Sequence, residues 1–174
     1  HSQMKKVAKG RFRQTKPSER PKLEKKCYLA LMTSEGDAPR VVSSFFGGGW
    51  LSRKRGSLPV NWGLSPLLAS EVPGLMDYFY RTATENDYFY AGVGGAGYCF
   101  VNLLSDVGLF AEHGKPHFRR ADMKIMEVWQ NGSVAYKKYE KYSEICGLRG
   151  IAHLAKGPAD VRVLPNGVPI VFMD

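Results

Sequence analysis

The 174-residue chain has no apolar run approaching the roughly 18 to 20 residues that a helix needs to cross a bilayer. Nor does its N-terminus carry the short apolar core of a secretion signal. No membrane span is expected, and no compartment is assigned. Cysteine is scarce: Cys27, Cys99 and Cys146 are an odd number at unrelated spacings. That pattern indicates neither a disulfide framework nor a zinc site, and it reads as three reduced, partly buried thiols. A Walker step is missing as well. GGGWLSRKRG at 47–56 supplies glycines and bases but no G-K-[ST], so it reads as a flexible basic loop. His113 and His117 lie four apart, but with Gly114 and Pro116 between them they are not expected to share a helical face, and no metal is expected. No cofactor is implied.

Acidic side chains are rare at one end of the chain. Residues 1–26 hold ten Lys or Arg against Glu19 and Glu24, whereas the other 148 residues hold 15 basic and 14 acidic. Of the net charge of +9, the first 26 residues therefore carry +8 and the rest of the chain +1. This stretch is polar and has no helical stripe. It reads as a solvated arm or linker able to touch nucleic acid or an anionic surface through phosphate contacts. Beyond it, a composition that is 44% hydrophobic and 12% aromatic suits one domain over 27–174. The chain begins at His1 and its last apolar run, PIVFMD, has no closing turn, so it reads as a piece of a longer one.

Strand-like runs recur at about thirty residues: CYLALMT from 27, SLPVNWG from 57 and DYFYAGV from 87. That interval fits a strand, a covering helix and two loops, which bring the next strand alongside in parallel. Helices are expected over 39–46, over 66–83 with a break at Pro73, and over FRRADMKIMEVWQNG at 118–132, ending at Asn131-Gly132. Residues 133–143 are polar and compatible with helix or loop. GLRGIAHLA reads as a strand, and VRVLPNGVPIVFMD as a hairpin around Pro165-Asn166-Gly167. The expected fold is α/β, built of repeated βα units around a parallel sheet. A closed eight-unit barrel takes about 250 residues, so the domain is expected to be an incomplete TIM-barrel-like one.

Gly92, Gly94 and Gly97 match the G-x-G-x-x-G spacing of a dinucleotide cradle. The strand before them is the third of its series, however, and residues 115–120 offer no acid for a ribose. Positive-φ turning and close backbone approach account for the glycines better. The block from 56 to 100 resembles the GxGYxYP family of putative glycoside hydrolases. The matching motifs are G-x-x-P-V-x-W-G-x-S-P from Gly56 to Pro66, A-T-x-N-D from Ala83 to Asp87, and Gly95-Ala96-Gly97-Tyr98; upstream, TSEGD stands where the family has S-D-G-D. The chain departs from the family after Tyr98, reading Cys99-Phe100-Val101, and it carries Glu35 and Ala38 in the upstream motif.

The resemblance implies a barrel-like domain that cleaves glycosidic bonds with paired carboxylates on a carbohydrate substrate. Barrel enzymes hold their chemistry at the C-terminal ends of strands. Asp37, Glu35 and Asp174 follow strand-like runs and are the catalytic candidates. Asp37 also fits a helix N-cap. Trp50, Asn61, Trp62, Gly95, Gly97 and Tyr98 are candidates for contacting sugar; for Trp50 and Trp62, core packing is the rival. Asp87 opens its strand and reads as a cap or turn residue on the opposite face. Two alternatives stand beside the hydrolase: a non-catalytic carbohydrate-binding or structural module, and a nucleic-acid-associated protein working through residues 1–26.

Overall fold

The computed structural model describes residues 12–14, 22, 24–34, 42, 45–154 and 160–173. The described elements are β1 (Met32–Thr33), α1 (Phe45–Trp50), β2 (Val60–Leu64), α2 (Leu68–Glu71), α3 (Pro73–Thr82) and β3 (Asp87–Ala91). A 3-10 turn at Val101–Leu103 leads to α4 (Val107–Ala121), β4 (Ile125–Trp129), α5 (Tyr136–Cys146), β5 (Gly150–Leu154), β6 (Asp160–Val163) and β7 (Pro169–Met173). The seven strands form one sheet in the order β1-β2-β3-β4-β5-β7-β6, parallel except for the β6–β7 hairpin. Alternating βα units curl this sheet into a half-barrel, the α/β architecture expected from the strand spacing.

Side-chain alternation sorts each strand into two faces. Trp62, Leu64, Phe89, Ala91, Met126, Val128, Ile151 and Ile170 turn toward the helices and join one core with Phe46, Met76, Phe79, Phe118 and Tyr142. Asn61, Tyr88, Tyr90, Glu127 and Trp129 belong to the other face, the inside of the half-barrel. β1 is shorter than expected: only Met32 and Thr33 pair with β2, while Tyr28, Leu29 and Leu31 remain exposed beside this edge of the sheet.

The basic loop expected at 47–56 begins as a helix instead. α1 runs through Gly47, Gly48 and Gly49 to Trp50, although glycine is a poor helix former. Aromatic packing offsets that weakness. Phe46 and Trp50, one turn apart, stack at 6.0 Å, and each meets the edges of Trp62 and Phe79 at about 5 Å.

The largest departure from expectation lies at 107–132. The helix there is α4, which starts at Asp106, whose carboxylate accepts from the Leu109 N–H at 2.9 Å, and stops at Asp122 in the left-handed conformation (φ 54°). The helix expected over 118–132 is therefore half wrong, because Ile125–Trp129 is a strand. Gly114 and Pro116 do not break α4. A Cβ on Gly114 would sit 3.1 Å from that of Ala96, so the glycine lets the helix approach the 92–97 loop, and Pro116 is exposed. His113 and His117 consequently do share a helical face, with ring centroids 5.6 Å apart, and Ser70 Oγ lies 2.9 Å from His117 Nδ1.

β3 and β4 pair at a single position, Ala91 with Met126. Below it the Gln14 carboxamide takes the place of a strand: its Oε1 accepts from Phe89 N–H (2.7 Å), and its Nε2 donates to the carbonyls of Phe89 (2.9 Å) and Asp122 (2.8 Å). Phe12 packs against Tyr80 with centroids 5.1 Å apart. Phe12 and Gln14, from the segment read as an arm, are thus docked on the domain.

Candidate active site

Parallel register fixes the height of each residue in the barrel. Leu64 pairs with Ala91, and Ala91 with Met126. Glu127 therefore stands one residue above the last paired positions of β2 and β3, at the C-terminal mouth where barrel enzymes place their chemistry. Its carboxyl is fully buried. Ser34 Oγ donates to Oε1 at 2.5 Å and Trp129 Nε1 donates to the same oxygen at 2.6 Å. Tyr90 Oη lies 2.8 Å from Oε2 and 2.6 Å from the Thr33 carbonyl oxygen. One carboxyl thus joins the ends of β1, β3 and β4. Sequence reading missed it because 118–132 was taken as helix; read as a strand, K-I-M-E-V-W shows one acid flanked by Met126 and Val128, which face the core.

The glycine loop lies above the end of β3. Gly94 and Gly95 have φ of 76° and 85°, and Gly97 has φ 122°. The Gly94 N–H donates to the Glu127 backbone carbonyl at 3.0 Å, tying the loop to β4. A Cβ on Gly94 would come within 2.6 Å of the Cys99 backbone, and one on Gly95 within 2.4 Å of Tyr142 Oη and 2.9 Å of Phe118. These glycines let the loop fold on itself and lie close against α5. Gly95 is buried by that contact, whereas Gly97 is half-buried. Tyr98 is 48% exposed and meets Trp129 edge to face at 6.0 Å, so an accessible aromatic pair borders the Glu127 cluster.

The other expected residues fall in different places. Glu35, Asp37 and Asp174 lie outside the described residues. Trp50 is 2% and Trp62 7% exposed, both on the helix side of the sheet. Their indole N–H groups donate to Thr82 Oγ1 (3.0 Å) and Asp87 Oδ1 (2.8 Å), and their faces are taken up by packing. Asn61 and Trp62 do not end their strand, because β2 continues to Leu64; they sit below the mouth. Asn61 lines an open cleft of about 290 Å³ on the inner face with Tyr88, Leu31 and Pro59.

Asp87 lies at the opposite end of the barrel, as its position at the start of β3 implies. It is 3% exposed and accepts from Trp62, from the backbone and hydroxyl of Thr84 (2.8 Å each), and from Arg55 (2.5 Å). Burial alone would raise its pKa; the bonds from Thr84 and Trp62 and the Arg55 charge outweigh burial and hold it below the usual carboxylate range. Among the described residues no group of three or more His, Cys, Asp or Glu side chains is placed to hold a metal, and no helix is long and apolar enough to cross a membrane.

Comparison with known proteins bears directly on this arrangement. Residues 25–172 match the model of the GxGYxYP putative glycoside hydrolase C-terminal domain. The chain belongs to that family. The GxGYxYP domain is also similar in structure to a putative hydrolase from Bacteroides thetaiotaomicron, with a TM-score of 0.85 at 21% sequence identity over 94% of this chain. That likeness bears on the fold, and the domain spans 33% of the length of the matched chain. No match is found among curated proteins.

Proposed function

We propose that the GxGYxYP domain contributes the active site of a glycoside hydrolase that cleaves glycosidic bonds with paired carboxylates. The observation that carries this reading is the carboxyl and aromatic cluster at the C-terminal mouth of a chain belonging to this family. Hydrolysis needs one carboxylic acid to protonate the leaving oxygen and a carboxylate to act as nucleophile or base, about 5 to 5.5 Å away for retention or 6.5 to 9.5 Å for inversion. Asp37 is our first candidate, with Glu35 and Asp174 beside it. Glu35 directly follows Ser34, which is bonded to Glu127, and Asp174 directly follows Met173 at the end of β7. Tyr98 and Trp129 supply apolar ring surface for a sugar face at the C-terminal mouth.

The test is product detection by mass spectrometry after incubation of the protein, at its full natural length, with a broad glycan panel beside its Asp37→Asn variant. Sugar release by the parent and its loss in the variant are expected. Equal release by both would remove Asp37 from the mechanism. No release from the folded protein would overturn hydrolysis and favour a carbohydrate-binding module.

A further inference from the structure

The expectation of no metal at His113 and His117 rests on Gly114 and Pro116 keeping them off one helical face, and the continuous helix α4 removes that ground. The two side chains stand one turn apart, with ring centroids at 5.6 Å and ring planes inclined by 59°. A zinc ion bonded tetrahedrally to two imidazole nitrogens, each at about 2.0 to 2.1 Å, holds the ring centroids roughly 5 Å apart, so a small side-chain rotation closes the chelate. His113 is exposed and His117 half-buried, which leaves the pair open to ions from solvent. Among the described residues no hydrogen bond occupies His113 or the Nε2 atom of His117.

Ser70 supplies the second observation. Its Oγ lies 2.9 Å from His117 Nδ1. With the ring hydrogen on Nδ1, His117 donates to this hydroxyl and Nε2 keeps a free lone pair. A histidine that binds metal through one nitrogen commonly donates its other N–H in this way, which fixes both tautomer and ring orientation. We propose that His113 and His117 chelate a zinc ion on the outer side of α4, and that Ser70 positions the His117 ring for it. The spacing i, i+4 is the one at which a single helix face presents two imidazoles to one zinc. Water completes the coordination, since among the described residues no third His, Cys, Asp or Glu side chain joins the pair. The ion staples a weak turn. Pro116 has no N–H to give the Glu112 carbonyl, and Gly114 adds the cost of ordering a glycine in a helix. His113 and His117 straddle both residues, so a bridge between them holds the turn from which Gly114 packs on Ala96 and the 92–97 loop. This site does not depend on the glycosidase reading.

Calorimetric titration of Cys27→Ser protein with zinc chloride tests it, because that substitution removes the one exposed thiol among the described residues as a competing ligand. A binding step of one zinc per chain is expected, and it should vanish when His113→Ala is added; the zinc-free melting temperature should not move, because His113 is exposed. Ser70→Ala should weaken the step by about 10- to 100-fold, as loss of the partner behind a metal-bound imidazole does. Absence of binding at millimolar zinc, or a step that His113→Ala leaves unchanged, would overturn the site, and an unweakened step in Ser70→Ala would remove Ser70 from it. Amide exchange reads the staple. At zinc 100 times its dissociation constant, the amides of Gly114, Lys115, His117 and Phe118 should exchange about 100-fold more slowly if the turn opens only after zinc leaves, and His113→Ala should abolish the slowing. Bound zinc without slower exchange would refute the staple.

Discussion

Removing the Asp87 carboxylate should be among the more costly single changes in this domain. The side chain is 1% exposed and its partner Arg55 16% exposed. Deleting one member of such a buried pair costs about 3 to 5 kcal/mol, because the other charge is left without compensation. Here Arg55 keeps two carbonyl acceptors, Trp50 O (2.7 Å) and Thr82 O (3.0 Å), and lies 4.2 Å over the Trp50 ring. Against that relief, Trp62 Nε1–H and the Thr84 N–H lose their acceptor, at about 1 to 3 kcal/mol for each buried orphan. We expect Asp87→Ala to lose about 4 kcal/mol. For a domain of this size that lowers the melting temperature by roughly 8 to 16 °C. The pH dependence has a defined sign. Because the folded pKa is depressed, the stability this carboxylate contributes is present above its unfolded pKa and is lost as pH falls through the folded value. Thermal or urea denaturation of parent and Asp87→Asn from neutral pH down to below the ordinary carboxylate range tests both statements. The parent should lose stability in that window, and the variant should lose less of it. A cost for Asp87→Ala within about 1 kcal/mol of zero, typical of surface substitutions, or identical acid limbs, would refute the reasoning.

Three further outcomes follow from the same structure. Gly95→Ala combines φ 85° with a Cβ 2.4 Å from Tyr142 Oη and should cost roughly 2 to 4 kcal/mol in a denaturant melt; adding Tyr142→Phe should recover part of it, and no recovery would place the strain in the backbone alone. Cys27 is exposed, whereas burial pushes the Cys99 thiol up to about 11 and the Cys146 thiol up to about 12; one thiol of the native protein should react quickly with a maleimide, and Cys27→Ser should abolish that phase. Tyr98→Ala removes a ring that is 48% exposed, so stability should change by less than about 0.5 kcal/mol while glycan affinity, read by calorimetry, falls by up to about tenfold.

The regular spacing of the strands made the α/β sheet readable, since each βα unit needs its own length of chain. The PNG hairpin and the positive-φ glycines were legible for the same kind of reason: one residue type meets one backbone demand. The region around Glu127 was hidden because Gly114 and Pro116 argue locally against a helix that tertiary packing of Gly114 on Ala96 supports. Once α4 is missed, Met123, Ile125, Met126 and Trp129 fit a helical stripe as well as a strand. Trp50 and Trp62 were offered as sugar platforms because one falls in a glycine-bearing stretch read as a loop and the other was read as ending its strand. FFGGGW folds as a helix only because Phe46 and Trp50 find Trp62 and Phe79, partners 12 to 33 residues away that no local pattern reveals.

The three tryptophans make the central claim directly measurable. Each indole N–H has its own place: Trp50 on Thr82 and Trp62 on Asp87, both packed on the helix side of the sheet, and Trp129 on Glu127 at the mouth. A ¹⁵N correlation spectrum of the protein, titrated with oligosaccharides, reports all three at once. A site at the C-terminal mouth predicts that the Trp129 indole signal and the backbone signals of Gly97 and Tyr98 move while those of the Trp50 and Trp62 indoles stay. A bound glycan that shifts Trp50 or Trp62 and leaves Trp129 in place would contradict the account.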